Sequence, residues 1–424
     1  MRKLFITALL VLAGSAVLFA QHNTREEILA NPDLAGGVYS LYPTGQPSPA
    51  KAPKGYKPFY LSHMGRHGAR YMGGTRTYTK VMDVWEDAHK RGILTPEGED
   101  VYQAYLELYP NVQYREGVLT KKGQKQLRQI AAQIHRDYPA LFKGKTRASA
   151  LSTASHRVLL SMACFMDQMK AMDPDFTYEV DYGIRYYDML IPESPEGPLW
   201  VERAPFPEET IAAYEKFAAE VCDEKALMGR WFTSTDSLAM DKDEFFFMFS
   251  SIVFDLSNLD FEVSDTLTGI FSPEERYHIW QVQNWSDYLY TARAKGIDIR
   301  RCREMSVTVK DIIDCFDKDV ADGVSLRCRF SHDTALMPLI SYLGVNGMDI
   351  STDDPHEIEN IWRNFSVPMA CNLQIVFFRN KKNPDDILIQ VLLNGLQATL
   401  PLPEAAPGFY RWTDFKEKFD HLEI

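Results

Sequence analysis

Three short groups of polar and titratable residues each follow an apolar segment of the sequence. They are Arg66, His67 and Arg70; Ser155, His156 and Arg157; and Ser331, His332 and Asp333. Arginine side chains form paired hydrogen bonds with phosphate oxygens, and a helix N-terminus also favours an anion. If the three groups meet in the fold, Arg66, Arg70 and Arg157 would hold a tetrahedral oxyanion.

Two residues of these groups could carry out a covalent reaction on a bound phosphate. The neutral imidazole of His67 could attack phosphorus and form a phosphohistidine, which divides one difficult displacement into two easier ones. Asp333 could protonate the leaving oxygen and then activate a water molecule. Plainer roles also fit, because Ser and Asp before an apolar helix are typical N-caps, and His156 could simply pack beside Arg157.

Each group is preceded by a segment with the features of a buried strand, and helical patterns follow. The strand segments are KPFYLSHM, Arg147 to Leu151 and Val324 to Phe330, and the helices after the last two begin near Ser155 and Thr334. Alternating strands and helices predict a parallel sheet, and the ligands of such sheets bind beyond the carboxyl ends of the strands. The sequence therefore predicts that the three groups converge at one edge of a sheet.

The rest of the pattern predicts an α/β protein with a helical cap. Residues 21–57 are rich in Pro, Gly and polar groups and are expected to wrap the surface, whereas residues 173–320 contain aromatic helical segments such as DEFFFMFSSIVFDL. A last strand pair, NLQIVFFRN and ILIQVLLNG, follows. We predict a core formed by residues 21–172 and 321–424, with a mostly parallel sheet and helices on both faces, and a helical cap inserted at 173–320.

The first twenty residues, MRKLFITALLVLAGSAVLFA, have the basic start, apolar stretch and small-residue end of a secretory signal peptide. We expect a periplasmic or secreted protein with no membrane contact beyond this segment, and an uncleaved anchor is the alternative. The net charge of −12 argues against nucleic acid or an anionic membrane surface as a partner. Six widely spaced cysteines make disulfides plausible in an oxidising compartment and do not form a zinc-site pattern.

Five motifs occur in a fixed order along nearly the whole chain after residue 20: RHGARYM, LTKKGQKQ, STASHRVLLSM, SHDTAL and VLLNG. In these motifs the chain resembles the histidine phosphatase superfamily, specifically its acid phosphatase branch, which includes phytases and multiple inositol polyphosphate phosphatases. The resemblance implies that His67 is the nucleophile, that Asp333 is the proton donor, and that phosphate is bound by Arg66, Arg70, Arg157 and His332. It also implies an α/β core with a helical cap, and no metal or organic cofactor.

Some features of the sequence bear on the substrate. Met72 stands where this family usually has Pro, so the loop on the leaving-group side is expected to differ in shape. The sequence His332-Asp333-Thr334 is more common in acid phosphatases and many phytases, whereas STASHR and FYRWTDFKEKF resemble the inositol polyphosphate phosphatases. We expect a small phosphate ester as the partner, with phytate or another inositol polyphosphate preferred and a broad-specificity acid phosphatase as the alternative.

Two further residues are candidates for substrate binding. His156 lies beside Arg157, and Arg185 lies between aromatic residues in DYGIRYYDML, where it could contact a second phosphate of the substrate. A solvated or stacked arginine is the plainer alternative for Arg185. The oligomeric state and the disulfide connectivity are left open by the sequence.

Two other classes of function fit the sequence less well than this hypothesis. A non-catalytic phosphate-binding module on the same fold would keep the arginines and lose the nucleophile or the acid, but His67 and Asp333 are both present. A metal-dependent hydrolase would need ligands at a compatible spacing. His63 and His67 are four residues apart, which on a strand corresponds to ~13 Å and is too far for two ligands of one ion.

Overall fold

The computed structural model describes residues 23–192, 194–197, 200, 202 and 204–423, so the predicted signal peptide at residues 1–20 lies outside the described residues. No helix within these ranges is long and apolar enough to cross a membrane. The strands of the described residues are β1 Tyr56–Arg66, β2 Arg147–Ser152, β3 Thr177–Tyr182, β4 Leu326–Ser331, β5 Asn372–Asn380, β6 Ile387–Leu393, β7 Leu396–Gln397, β8 Glu404–Ala406 and β9 Phe409–Arg411.

All of these strands belong to one sheet with the order β3-β2-β4-β1-β5-β6-β9-β8, and β7 pairs with β6. Strands β3, β2, β4 and β1 are mutually parallel, whereas β5 runs antiparallel to β1 and starts the antiparallel half of the sheet. The register places Arg66, the last residue of β1, opposite Ser331, the last residue of β4. The carboxyl ends of the central strands therefore meet at one edge, as predicted.

Helices of the described residues surround this sheet and extend to one side of it. They are α1 Thr24–Ala30, α2 Thr77–Arg91, α3 Pro96–Val112, α4 Lys121–Asp137, α5 His156–Met172, α6 Tyr187–Leu190, α7 Glu208–Val221, α8 Glu224–Gly229, α9 Lys242–Asp255, α10 Asp265–Thr268, α11 Pro273–Thr291, α12 Arg300–Ala321, α13 Asp333–Leu343, α14 Pro355–Ile358 and α15 Trp412–Phe419. The 3-10 segment Pro32–Tyr39 is called the N-terminal turn below.

The two faces of the sheet are covered by different helices. Alternate residues of β5 point to opposite faces, so that Phe377 packs against α12, α13 and α15, whereas Val376 and Phe378 pack against α4 and α5. Burial of both faces accounts for the continuous apolar runs of the central strands, and the predicted α/β class with helices on both faces is confirmed.

The division into core and cap differs in detail from the predicted one. Strand β3 lies inside the range 173–320 but belongs to the sheet, and α12, from the same range, packs on the sheet with the rings of Phe316 and Phe377 4.6 Å apart. Helices α2 and α3 instead pack with α9 and α11 in a separate apolar cluster. Most residues of β3 are exposed, so this edge strand has no apolar pattern from which it could be predicted.

The six cysteines form no disulfide, although the sequence made disulfides plausible. Five of them are buried and Cys315 is half-buried, and all six are free thiols. Burial raises the pKa of each of them, for example that of Cys302 to about 12. They behave as small apolar residues of the core.

Candidate active site

The first and third polar groups are joined directly by the pairing of β1 with β4. The backbone N–H of His67 donates to the carbonyl oxygen of Ser331 at 3.1 Å, which continues the strand pairing one residue past the end of β1. The imidazole rings of His67 and His332 consequently lie edge to face with centroids 5.5 Å apart. Strand register thus brings together two histidines that are distant in the sequence.

The segment that follows His67 packs unusually close to the start of α4. A Cβ atom on Gly68 would lie 2.5 Å from the carbonyl oxygen of Gly123, and a Cβ atom on Gly123 would lie 2.2 Å from the carbonyl oxygen of Ala69. The N–H of Gly68 donates to Ser161 Oγ at 3.1 Å, and the N–H of Ala69 donates to Gln126 Oε1 at 2.8 Å. Two glycines therefore allow α4 and α5 to fix the backbone beside His67.

His67 is neutral and presents one unprotonated ring nitrogen. Its Nδ1 lies 2.9 Å from the carbonyl oxygen of Gly68, which can only accept, so Nδ1 carries the proton and Nε2 carries the free lone pair. The residue is 1% exposed. Burial, with the charges of Arg66, Arg157 and Arg70, lowers the pKa of His67 well below its usual value. Nε2 therefore keeps its free lone pair at acidic pH.

Three arginines surround this imidazole, and part of each guanidinium is left without a partner. Arg66 is fully buried and donates from Nη1 to the carbonyl oxygens of Val38 at 2.5 Å and Val367 at 3.0 Å. The Nη2 atom of Arg157 lies 3.2 Å from Nδ1 of His332. The Nε atoms of Arg66, Arg70 and Arg157 are buried without a hydrogen-bond partner in the protein. Orphaned cationic donors are costly, so their convergence indicates a site for an oxyanion.

His332 and Asp333 complete the group at the end of β4. The Nε2 atom of His332 lies 3.3 Å from Thr153 Oγ1, and burial lowers the pKa of His332 to about 3. Asp333 begins α13, and its Oδ2 lies 3.2 Å from Nη2 of Arg66. Burial raises the pKa of Asp333, but the charges of Arg66 and Arg70 outweigh this effect and hold it below its usual value. The Asp333 side chain is 19% exposed and can meet a substrate.

Of the two further candidates for substrate binding, His156 lies next to the cluster of His67 and Arg185 lies on the surface. His156 is exposed at the start of α5, next to Arg157, and its Nε2 lies 3.0 Å from the carbonyl oxygen of Gly117. Arg185 pairs with Asp181, lies with its guanidinium carbon 4.8 Å from the centre of the Tyr186 ring, and has a side chain that is 65% exposed. His156 therefore adjoins the cluster of His67, whereas the contacts of Arg185 are those of a stacked surface arginine.

Sequence reasoning missed four residues that adjoin the arginines. Two of them belong to the N-terminal turn: the carbonyl oxygen of Val38 binds Arg66, and the ring centre of Tyr39 lies 5.8 Å from the guanidinium carbon of Arg70. The segment expected to wrap the surface thus reaches the site. The other two are cap carboxylates, and burial raises the pKa of both Asp255 and Asp287 to about 7. A carboxylate at the end of the apolar run FFFMFSSIVFD is the one feature of the sequence that could have drawn attention to Asp255.

A cavity of about 1040 Å³ lies between α7, α9 and α11, next to these residues. Val38, Tyr39, Asp287 and Asn364 form the wall nearest to Arg66 and Arg70. Its remaining charged lining is mostly acidic and consists of Glu215, Glu220, Asp223, Glu224, Lys225 and Asp243. Such a lining repels additional phosphate groups.

Comparisons with known proteins agree with the motifs. The chain is 24% identical over 428 residues to multiple inositol polyphosphate phosphatase 1 of Gallus gallus, covering 93% of this chain and 88% of that protein. No family model matches the sequence.

Two solved structures show the likeness of the fold. One is the Bifidobacterium longum multiple inositol polyphosphate phosphatase in complex with inositol hexasulfate, with a TM-score of 0.75, 17% identity, and coverage of 92% of this chain and 98% of that chain. The other is the phytase from D. castellii, with a TM-score of 0.66, 14% identity, and coverage of 96% and 89%. The predicted resemblance to the acid phosphatase branch is confirmed as a likeness in sequence and fold.

Proposed function

We propose that this chain, which has the fold of the acid phosphatase branch of the histidine phosphatases, is an exported phosphomonoesterase that forms a phosphohistidine at His67. The observation that carries the proposal is the state of the imidazole: Nδ1 is bound to the Gly68 carbonyl, and Nε2 is free among three arginines with unpartnered donors. This arrangement combines a nucleophile with preformed stabilisation of the phosphoryl oxygens.

The reaction divides into two displacements at phosphorus. In the first, the Nε2 lone pair of His67 forms the N–P bond while the bond from phosphorus to the ester oxygen breaks, and protonated Asp333 gives its proton to that oxygen. In the second, the Asp333 carboxylate takes a proton from water, whose oxygen attacks phosphorus, and the N–P bond returns its electron pair to Nε2. Arg66, Arg70 and Arg157 hold the non-bridging phosphoryl oxygens in both steps.

Inositol polyphosphates are the proposed substrates. The support is the similarity to proteins named for this activity and the structure of one of them with inositol hexasulfate. A broad-specificity acid phosphatase is the second candidate, because the acidic lining of the cavity between α7, α9 and α11 does not suit a polyphosphorylated ring.

Export is proposed from residues 1–20, whose composition is that of a signal peptide. The measurement is the distribution of activity between cytoplasm, periplasm and medium for the full chain and for a variant that lacks residues 2–20. Activity that stays cytoplasmic with the full chain would contradict the proposal. A full chain found in the membrane fraction would instead indicate the uncleaved anchor.

The test of the activity compares phosphate release from phytate and from p-nitrophenyl phosphate between pH 3 and pH 8 in the presence of EDTA. His67→Ala is the test variant, and His89→Ala, which changes an exposed histidine of α2, is the matched control. We expect release from phytate with an acidic optimum, its loss in His67→Ala, and no change in His89→Ala. Turnover that survives in His67→Ala would contradict the phosphohistidine.

Two other outcomes of this test would favour the alternative functions. Release from p-nitrophenyl phosphate alone would favour the broad-specificity acid phosphatase. Binding of phosphate without turnover of either ester would favour a phosphate-binding module.

A further inference from the structure

A chain of contacts connects a buried carboxylate of the cap to Arg70. The amide Nδ2 of Asn258 donates to Asp255 Oδ1 at 2.9 Å and to the carbonyl oxygen of Tyr39 at 2.7 Å. The Tyr39 ring in turn lies against the guanidinium of Arg70, 5.8 Å from ring centre to guanidinium carbon. Asp255 is 1% exposed, and its second oxygen, Oδ2, is buried without a hydrogen-bond partner, as is Nε of Arg70.

Buried carboxylates oppose the positive charge of the site. The three guanidinium groups of Arg66, Arg70 and Arg157 share their surroundings with the carboxyl groups of Asp255, Asp287 and Asp333. If all three carboxyl groups were ionised, these six groups would carry no net charge, and a buried site of that kind would bind a dianion poorly. Protonation of a carboxyl group near the arginines would therefore favour binding of the dianion.

We propose that Asp255 is such a group: it is a positioning residue whose ionised carboxylate, linked to Arg70 through Asn258 and Tyr39, partly offsets the charge of that guanidinium, and it becomes protonated when a tetrahedral dianion binds there. Binding of the dianion at Arg70 is thus coupled to the uptake of one proton from solvent onto Asp255. This inference rests on the proposed phosphate site but not on turnover. It assigns to a cap residue part of the preference for acidic pH that Asp333 alone would otherwise have to explain.

The surroundings of Asp255 support this assignment. The charged and titratable groups that act on it or respond to it are Arg70 and Arg66 from the end of β1, Tyr39 from the N-terminal turn, and Tyr78 from α2. Burial raises the pKa of Asp255 to about 7, against the lowering effects of Arg70 and of the Asn258 hydrogen bond. A bound dianion adds a negative charge near Arg70 and raises this pKa further, which gives the sign of the coupling.

The test measures the affinity for sulfate by titration calorimetry from about pH 5 to pH 9. Sulfate is tetrahedral and keeps its two charges throughout this range, so a pH dependence of its binding belongs to the protein. For wild type we expect the affinity to fall above about pH 7, and for Asp255→Asn we expect the slope of log Kd against pH to be lower by about one. Asp287 and Asp333 are present in both proteins, so the difference between them isolates Asp255.

Controls and a second variant keep the outcome decisive. Asp265→Asn, the same change at an exposed residue of α10, should bind sulfate like wild type. Asn258→Leu removes a hydrogen bond that favours the ionised carboxylate, so the loss of affinity should begin at a higher pH than in wild type even if Asp255→Asn fails to fold. Equal slopes for wild type and Asp255→Asn, or an unchanged onset in Asn258→Leu, would overturn the proposal.

The same measurements distinguish a failure of the proposed phosphatase activity from a failure of the proposed role of Asp255. A protein that binds sulfate with the expected pH dependence but releases no phosphate from any ester would retain this inference and lose the phosphatase. If sulfate does not bind at any pH, the proposed oxyanion site and the proposed role of Asp255 are both contradicted.

Discussion

Nη2 of Arg66 lies 3.2 Å from Oδ2 of Asp333, so the arginine beside the proposed nucleophile His67 also holds the proposed general acid. This pairing favours the ionised carboxylate and holds the pKa of Asp333 below its usual value. A bound phosphoryl group competes for the same guanidinium, which releases Asp333 next to a new negative charge. The pKa of Asp333 then rises, and the residue becomes protonated where the leaving oxygen needs the proton.

Asp333→Asn should separate esters by their leaving groups. The amide keeps the size of the side chain but cannot give up a proton, so kcat/KM for phytate, which reports the first displacement, should fall by roughly 10²–10⁴. The value of kcat/KM for p-nitrophenyl phosphate should fall much less, because nitrophenolate leaves without protonation. Steady-state kinetics on both esters measures the two values, and equal losses of kcat/KM on both would contradict the role of Asp333 as acid.

Arg157→Lys should weaken phosphate binding although the charge is retained. Lysine cannot reproduce the forked guanidinium that reaches His332 Nδ1 and leaves Nε free for an oxyanion. A hydrogen bond to a charged group contributes about 1.5–3 kcal/mol, so the inhibition constant of inorganic phosphate should rise roughly 10- to 150-fold. Arg147→Lys, at the opposite end of β2, is the matched control. An inhibition constant of phosphate for Arg157→Lys equal to that of wild type would show that Arg157 does not bind phosphate.

Gly123→Ala should damage the site although alanine is normally favoured in helices. The new Cβ would lie 2.2 Å from the carbonyl oxygen of Ala69, so the segment after His67 must move. Gly229→Ala, in α8 with no atom within 4 Å of the new Cβ, should be neutral or stabilising by up to about 1 kcal/mol. Thermal unfolding and kcat for both variants test this contrast, and a fully active, equally stable Gly123→Ala would contradict the close approach.

His63→Leu should stabilise the protein at acidic pH. His63 is fully buried, stacks on Phe165 with centroids 5.0 Å apart, and burial lowers its pKa to about 3. The unfolded chain binds a proton below about pH 6.5 that the folded state excludes, so stability falls by up to roughly 1.4 kcal/mol per pH unit below that value. Leucine removes this loss.

The measurement is the difference in unfolding free energy between His63→Leu and wild type at pH 7.5 and at pH 4. The unfolding free energy of the variant, relative to that of wild type, should be higher at pH 4 than at pH 7.5, and kcat should be retained. A difference that does not depend on pH would mean that His63 is protonated in the folded state.

Thiol labelling should find no disulfide in the protein. Ellman's reagent should react with all six cysteines after denaturation without reductant and with few in the native state, where Cys315 alone is half-buried rather than buried. Treatment with a reductant should leave the thermal unfolding temperature unchanged. Fewer than six thiols after denaturation would show that a disulfide forms.

The strand ends were predictable because each motif combined a local pattern with an unusual composition. Arg66 ends an apolar strand, and His67, Arg157, His332 and Asp333 come after one; a parallel sheet places such positions at one edge. The geometry of the site was therefore implied by strand and helix alternation.

The cap contribution to the site was not predictable in the same way. Asp255 and Asp287 are single carboxylates in helices, and a carboxylate in a helix is normally solvated. Their relation to Arg70 and Arg66 depends on how α9 and α11 pack, which has no local pattern in the sequence. Strand β3 was missed because its side chains are mostly exposed, so no apolar alternation marks it.

The central strand β1 has consequences for the order of folding. The two strands that flank it, β4 and β5, come from the last quarter of the chain, and Arg66 binds the carbonyl oxygen of Val367 across 301 residues of sequence. Contacts of such long range form slowly because the loop must close before they are gained. A chain in which β4 and β5 have not yet been synthesised cannot hold Arg66 in place, so the proposed active site forms only after these two strands have joined the sheet.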